Sequence, residues 1–212
     1  GRYGGGDEPL AEERAAAIRE GTVLITGGTT GIGALLARRL AERDGARHLL
    51  LVSRRGTEAP GAEELRAELA ELGCEVEIAA CDATDREALA SLLAAIPPER
   101  PLRAVVHAAA ALDDGVLLPA AVHLHELTRE MELVEFILFS SAASPLGSPG
   151  QANYAAGNAF LDALAHSRRS EGLPAVALAF GFWERTTELT EHLTRGGKRV
   201  GPLDLLPMSD EV

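Results

Sequence analysis

The stretch Thr26-Gly27-Gly28-Thr29-Thr30-Gly31-Ile32-Gly33 decides how this chain is read, because it follows the apolar run Val23-Leu24-Ile25 and leads into the amphipathic run Ala34 to Arg43. Glycines at a strand-to-helix bend permit a tight turn and let backbone N–H groups approach a pyrophosphate at the positive end of the helix. The form is TGxxxGxG, without the lysine of a Walker A loop, so the bend reads as a dinucleotide cradle. A merely Gly-rich surface turn would need neither the strand before it nor the helix after it.

Working outward, short apolar runs alternate with longer amphipathic ones. His48 to Val52 precedes Ala62 to Leu72, Glu75 to Ala80 precedes Arg86 to Ala95, and Ala104 to His107 precedes a helical stretch around Ala120 to Arg129. Phe136 to Phe139, Ala155 to Glu171 and Ala175 to Ala179 complete the series. Six strands separated by helices predict an α/β fold, a doubly wound parallel sheet with helices on both faces. Residues 1–20 read as a linker with room for one short helix, 21–185 as the dinucleotide-binding domain, and 186–212 as a polar lid and C-terminal segment of the same domain.

Composition narrows the function. The chain has 212 residues, is 46% hydrophobic and carries a formal charge of −12, which suits one domain with a substantial core. It offers no basic field for nucleic acid or an anionic membrane surface. No apolar run approaches the roughly 20 residues that cross a bilayer, and Gly1 to Glu20 has no signal-peptide core. Cys74 and Cys81 are too few for a disulfide framework and lack paired zinc spacing, so reduced thiols and a cytoplasmic setting are expected. His123, His125 and Glu126 do not form HExxH, and helix positions two apart point to different faces, so no metal is expected. Nearly all the cations are arginines; Lys198 is the only lysine.

The second strand ends in Ser53-Arg54-Arg55, where a protein that binds NAD usually sets an acidic residue against the ribose 2′-hydroxyl. Guanidinium groups there suit a 2′-phosphate and favour NADPH. Two solvated loop arginines are the plainer alternative.

Longer motifs carry a resemblance. Phe139-Ser140-Ser141-Ala142-Ala143, then Leu146-Gly147-Ser148-Pro149-Gly150-Gln151-Ala152-Asn153-Tyr154-Ala155-Ala156-Gly157-Asn158-Ala159-Phe160-Leu161-Asp162, closely resemble the ketoreductase domains of modular polyketide synthases, members of the short-chain dehydrogenase/reductase superfamily. So do His48-Leu49-Leu50-Leu51-Val52-Ser53-Arg54-Arg55-Gly56 and His123-Leu124-His125-Glu126-Leu127-Thr128, and the likeness runs from about Thr22 to Trp183. It implies a Rossmann-like fold, NADPH as cofactor, and a β-ketoacyl thioester on the phosphopantetheine of an acyl carrier protein as substrate, with further synthase domains as neighbours. It also implies roles. Cys81 and Asp82 would flank the adenine, although Asp82 reads equally as a helix cap. His107, Ala108 and Ala109 would line the cofactor crevice; His107 itself reads as a hydrogen-bonded core histidine rather than a catalyst.

The resemblance places the acid machinery at Ser141, thirteen residues before Tyr154, and Asn158, four after it. Hydride arriving at a ketone creates an alkoxide, so a phenol must donate a proton and a serine hydroxyl must stabilise the oxygen. Asn158, one helical turn beyond Tyr154, suits the ordering of a water or the cofactor ribose. Leu112, Asp113 and Asp114 match the family marker for a D-configured hydroxyl; Leu146, where the opposite class has Trp, agrees, and Gln151 would help orient substrate. Read alone, Asp113-Asp114 would be a solvated helix cap.

The family pattern is broken in one place that matters. Relatives carry a lysine about twenty-four residues before the serine that lowers the tyrosine pKa and grips the nicotinamide ribose; counting back from Ser141 reaches Leu117. Asp113-Asp114-Gly115-Val116-Leu117 runs almost at once into Ala120-Ala121-Val122-His123, where relatives have a further stretch. A true deletion and a segment missing from the present sequence are both open. The expectation is an active reductase, with a redox-silent or epimerising relative as its alternative. Smaller departures are Ala110 for a glycine, Ser144-Pro145 for a small apolar pair, and Phe180 for a tryptophan.

Overall fold

The computed structural model describes residues 8–108, 114–142, 144 and 152–180, with side chains described except at 8–10 and 114–117. Six strands, β1 (Thr22–Thr26), β2 (His48–Ser53), β3 (Glu75–Ala80), β4 (Leu102–His107), β5 (Glu135–Ser141) and β6 (Val176–Phe180), form one sheet in the order β3-β2-β1-β4-β5-β6. Every pairing is parallel, with Ile25 opposite Leu51 on one side and Val106 on the other. The doubly wound parallel sheet that the alternation predicts is the fold observed.

Side-chain alternation divides the core in two. Leu24, Leu50, Val105, Phe136 and Leu138 face α4 (Arg86–Ala94), α5 (Asp114–Thr128) and α6 (Ala152–Ser170), through Leu89, Leu124 and Leu161. Val23, Ile25, Leu49, Leu51 and Val106 face α2 (Gly31–Glu42) and α3 (Ala62–Glu71), through Ala37, Leu65 and Leu69. Central strands buried on both faces read as unbroken apolar runs, which is why β1 and β2 are plain in the sequence. Each fully buried Leu or Ile contributes about 1.5–3 kcal/mol relative to exposure.

Three elements take more definite bounds than the sequence reading gave them. The short helix for which residues 1–20 left room is α1 (Glu8–Glu20), whose Ile18 packs under the sheet and whose Arg14 pairs with Glu135. Helix α5 begins six residues earlier than Ala120 and runs through Pro119. Strand β5 continues to Ser141 because β6 pairs alongside it, Ser141 opposite Phe180.

The far end of α6 is held by a buried cation. Arg168 is fully buried, its guanidinium 3.8 Å from the centre of the Phe136 ring, with Nε donating to Pro174 O at 3.2 Å. Its NH1 lies 3.0 Å from His125 Nδ1. Arginine can only donate, so His125 accepts at Nδ1 and its neutral ring carries the proton on Nε2. Burial pushes the Arg168 pKa down to about 10, still far above neutrality, so the cation persists. Burial first, then the Arg168 charge, holds His125 below its ordinary range.

Candidate active site

In an open parallel sheet, ligands bind beyond the carboxyl ends of the strands where the winding reverses, here between β1 and β4. The glycine turn lies there. Gly27 N donates to Val52 O at 2.8 Å and Ala108 N to Thr26 O at 3.1 Å, so the ladders on both sides of β1 run into the bend. Thr26 Oγ1 and His107 Nδ1, both buried, are 2.7 Å apart and join the ends of β1 and β4. His107 is thus the hydrogen-bonded core histidine that the sequence suggests. Ala108 is buried beside it.

Two glycines show what the turn demands. A Cβ on Gly33 would fall 2.2 Å from Gly27 O, so the first turn of α2 lies directly on the bend. Gly31 has φ +54°, a left-handed conformation, and faces open space. Thr29 is buried, Thr30 exposed and Ile32 half-buried. Thr30 is the extended N-cap of α2 and makes no capping bond, and no acidic residue lies in the first turn. The contrast is α4, where Asp85 accepts from Glu87 N and Ala88 N and so fills the helix end. The start of α2 has no such side-chain partner, so its first N–H groups could donate to an anion.

The neighbouring strand ends supply charge. Arg54 and Arg55 are exposed, on a bend where Gly56 N donates to Ser53 Oγ at 3.0 Å. Ser53 therefore holds the arginine loop while its own hydroxyl proton stays available. Asp82 accepts from Thr84 N and Thr84 Oγ1, and these bonds, helped by the Arg54 charge, lower its pKa. Asp82 thus closes the turn at Thr84, while the cap of α4, which the sequence offered to Asp82, is Asp85. Burial, then Asp85 and Asp82, raises the Cys81 pKa.

Ser141 ends β5, half-buried, and Tyr154 lies in the first turn of α6, also half-buried. Asn158 is buried, with its Nδ2 donating to Tyr154 O at 2.8 Å. Its amide N–H is thus turned back on the helix rather than outward. Ser140 Oγ donates to Asn158 O at 3.3 Å, and Ser144 Oγ to Asp162 Oδ2 at 2.6 Å. These last contacts were not read from the sequence, where partners 18 residues apart carry no periodic signal. Ala109, Leu112, Asp113, Leu146, Gln151 and the lid at 186–212 lie outside the described residues, and of Asp114 only the backbone is described. Among the described residues no cluster of three His, Cys, Asp or Glu could hold a metal, and no helix is long and apolar enough to cross a membrane. His123 Nδ1 lies 3.3 Å from Ala83 O, and His125 is engaged by Arg168.

A glycine-built strand-to-helix bend at the switch point of a parallel sheet, with a serine closing β5 and a tyrosine opening the next helix, defines an oxidoreductase of the short-chain dehydrogenase/reductase class. The chain belongs to the KR domain family, whose model matches residues 21–121 and 118–185. The two pieces overlap at 118–121, within α5. The mycoketide-CoA synthase of Mycobacterium tuberculosis is 52% identical over 205 residues, covering 89% of this chain and 5% of that protein. Erythronolide synthase EryA2 of Saccharopolyspora erythraea is 53% identical over 197 residues, covering 86% and 6%. A solved structure of A-type ketoreductases from a modular polyketide synthase superposes with a TM-score of 0.74 at 56% identity, over 78% of this chain and 38% of that one. The chain thus spans a small fraction of the curated synthases that it matches.

Proposed function

We propose that this domain reduces the β-keto group of an acyl thioester on an acyl carrier protein, using NADPH, within a modular polyketide synthase whose other domains are its neighbours. The observation that carries the proposal is the uncapped, glycine-built start of α2 at the same sheet edge as Ser141 and Tyr154. The residues present fit the dinucleotide: a Cβ at Gly33 would meet backbone, and an anion at the α2 start would meet no competing carboxylate. Thr26 to Gly33 would hold its pyrophosphate, Arg54 and Arg55 its 2′-phosphate, Cys81 and Asp82 its adenine side, and Ala108 and Ala109 the crevice wall. When bound, NADPH supplies hydride to the carbonyl carbon.

The protein's part is proton and charge management. As the carbonyl π bond breaks toward oxygen, the Tyr154 hydroxyl gives its proton to that oxygen and is reprotonated from solvent. The Ser141 hydroxyl donates a hydrogen bond to the same oxygen as charge develops. Asn158, bonded to Tyr154 O, holds the turn that presents the phenol. Leu112, Asp113, Asp114, Leu146 and Gln151 would set which carbonyl face is presented, giving the D-hydroxyl. The test is absorbance of NADPH mixed with the protein and a β-keto thioester surrogate; consumption with formation of the β-hydroxy thioester is expected.

A second reading is favoured by one observation: no lysine occurs before Lys198, so the lysine that the resemblance leads one to expect has no counterpart near Tyr154 in sequence. On that reading the domain binds NADPH and acyl thioester without net reduction, as a redox-silent or epimerising relative. Tight NADPH binding with no consumption, and deuterium exchange at the α-carbon of the thioester, would select it.

A further inference from the structure

Two serines that flank Ser141, at positions 140 and 144, are bonded to α6. Ser140 bonds the Asn158 carbonyl and Ser144 bonds the Asp162 carboxylate, at 3.3 and 2.6 Å. Asn158 and Asp162 are one turn apart on α6, so both fastenings use one face of that helix. Ser144 follows Ser141 by three residues and Asp162 follows Tyr154 by eight, so the second bond ties together the two segments that carry the reactive hydroxyls. A hydroxyl on an ionised carboxylate at this distance is among the stronger hydrogen bonds.

We propose that Ser144 and Asp162 are positioning residues that set the end of β5 against the first turn of α6. Strand β5 is fixed by its ladders to β4 and β6. Helix α6 is fixed at its far end by Arg168. The hydroxyl–carboxylate bond closes the remaining freedom between them at the end where Ser141 and Tyr154 must reach one oxygen. The effect on turnover rests on the reductase reading above; the tether itself does not.

The experiment compares the wild-type chain with Ser144→Ala, Asp162→Asn, the double variant and Ser144→Thr. Amide hydrogen exchange in peptides spanning the first turns of α6, residues 152–162, is expected to rise about tenfold in both single variants, matching loss of one charge-assisted bond, with the sheet unchanged. With the β-keto thioester surrogate, kcat falls about tenfold while KM for NADPH moves less than about twofold, because the phosphate turn is untouched. The double variant is no worse than either single one, and Ser144→Thr restores the wild-type values. Unchanged exchange in both single variants, or additive losses in the double variant, would overturn the proposal. Faster exchange in a protein whose wild type consumes no NADPH upholds the tether and sinks the reductase reading.

Discussion

Replacing Gly33 by alanine tests the phosphate turn directly. The new Cβ would stand 2.2 Å from Gly27 O, 2.7 Å from Gly27 C and 2.9 Å from Gly28 Cα, all of them backbone, so no side-chain rotation relieves the contact. The bend and the first turn of α2 must part by about an ångström to reach ordinary contact, an overpacking that costs about 1–3 kcal/mol. For a domain of this size that lowers Tm by about 2–12 °C. The same shift draws an N–H away from the phosphate, and one charge-assisted hydrogen bond is about 1.5–3 kcal/mol, or roughly ten- to 150-fold in Kd. Gly31→Ala is the control: its Cβ meets nothing within 4 Å, so only the strain of φ +54° remains, about 1–2 kcal/mol. Fluorescence titration of NADPH with thermal denaturation reads both effects. NADPH affinity for Gly33→Ala within twofold of wild type would refute the assignment of the bend.

Tyr154→Phe removes only the proton donor and should lower kcat at least a hundredfold while NADPH affinity stays within about twofold; a comparable loss of affinity would mean that the phenol is structural. The double change Arg54→Ala with Arg55→Ala should weaken NADPH about tenfold or more and leave NADH unchanged, read as the ratio of the two dissociation constants. For His125 the sign follows from burial and the Arg168 charge, which lower the folded pKa below the unfolded value. The unfolded chain therefore takes up the proton first, and stability held above about pH 6.5 declines as pH falls through that value. Denaturant midpoints between pH 7.5 and 5 should fall more steeply for wild type than for His125→Gln; parallel slopes would dismiss the His125 contribution.

The sheet was legible because β1, β2 and β4 are buried on both sides and so spell themselves as Val, Leu and Ile runs. The glycine bend was legible because it must sit between a strand and a helix. Elsewhere the determinant is tertiary. Nothing local distinguishes Arg168 from the exposed Arg169 beside it; its burial follows from where Phe136, His125 and Pro174 come together. Ser144 and Asp162 meet only because β5 and α6 pack. Helix α1 has a charged, weakly patterned sequence, and its Ile18 gains meaning only once the sheet is present to receive it. The inward turn of Asn158 likewise needed the Tyr154 carbonyl in place.

With Tyr154 as the proposed acid, helix α6 would act as a lever pivoted at Arg168, its tip fourteen residues or about 21 Å away. A small angular slip at the pivot is magnified at the tip, so warming that loosens the arginine cradle would blunt turnover at temperatures where the sheet is still whole.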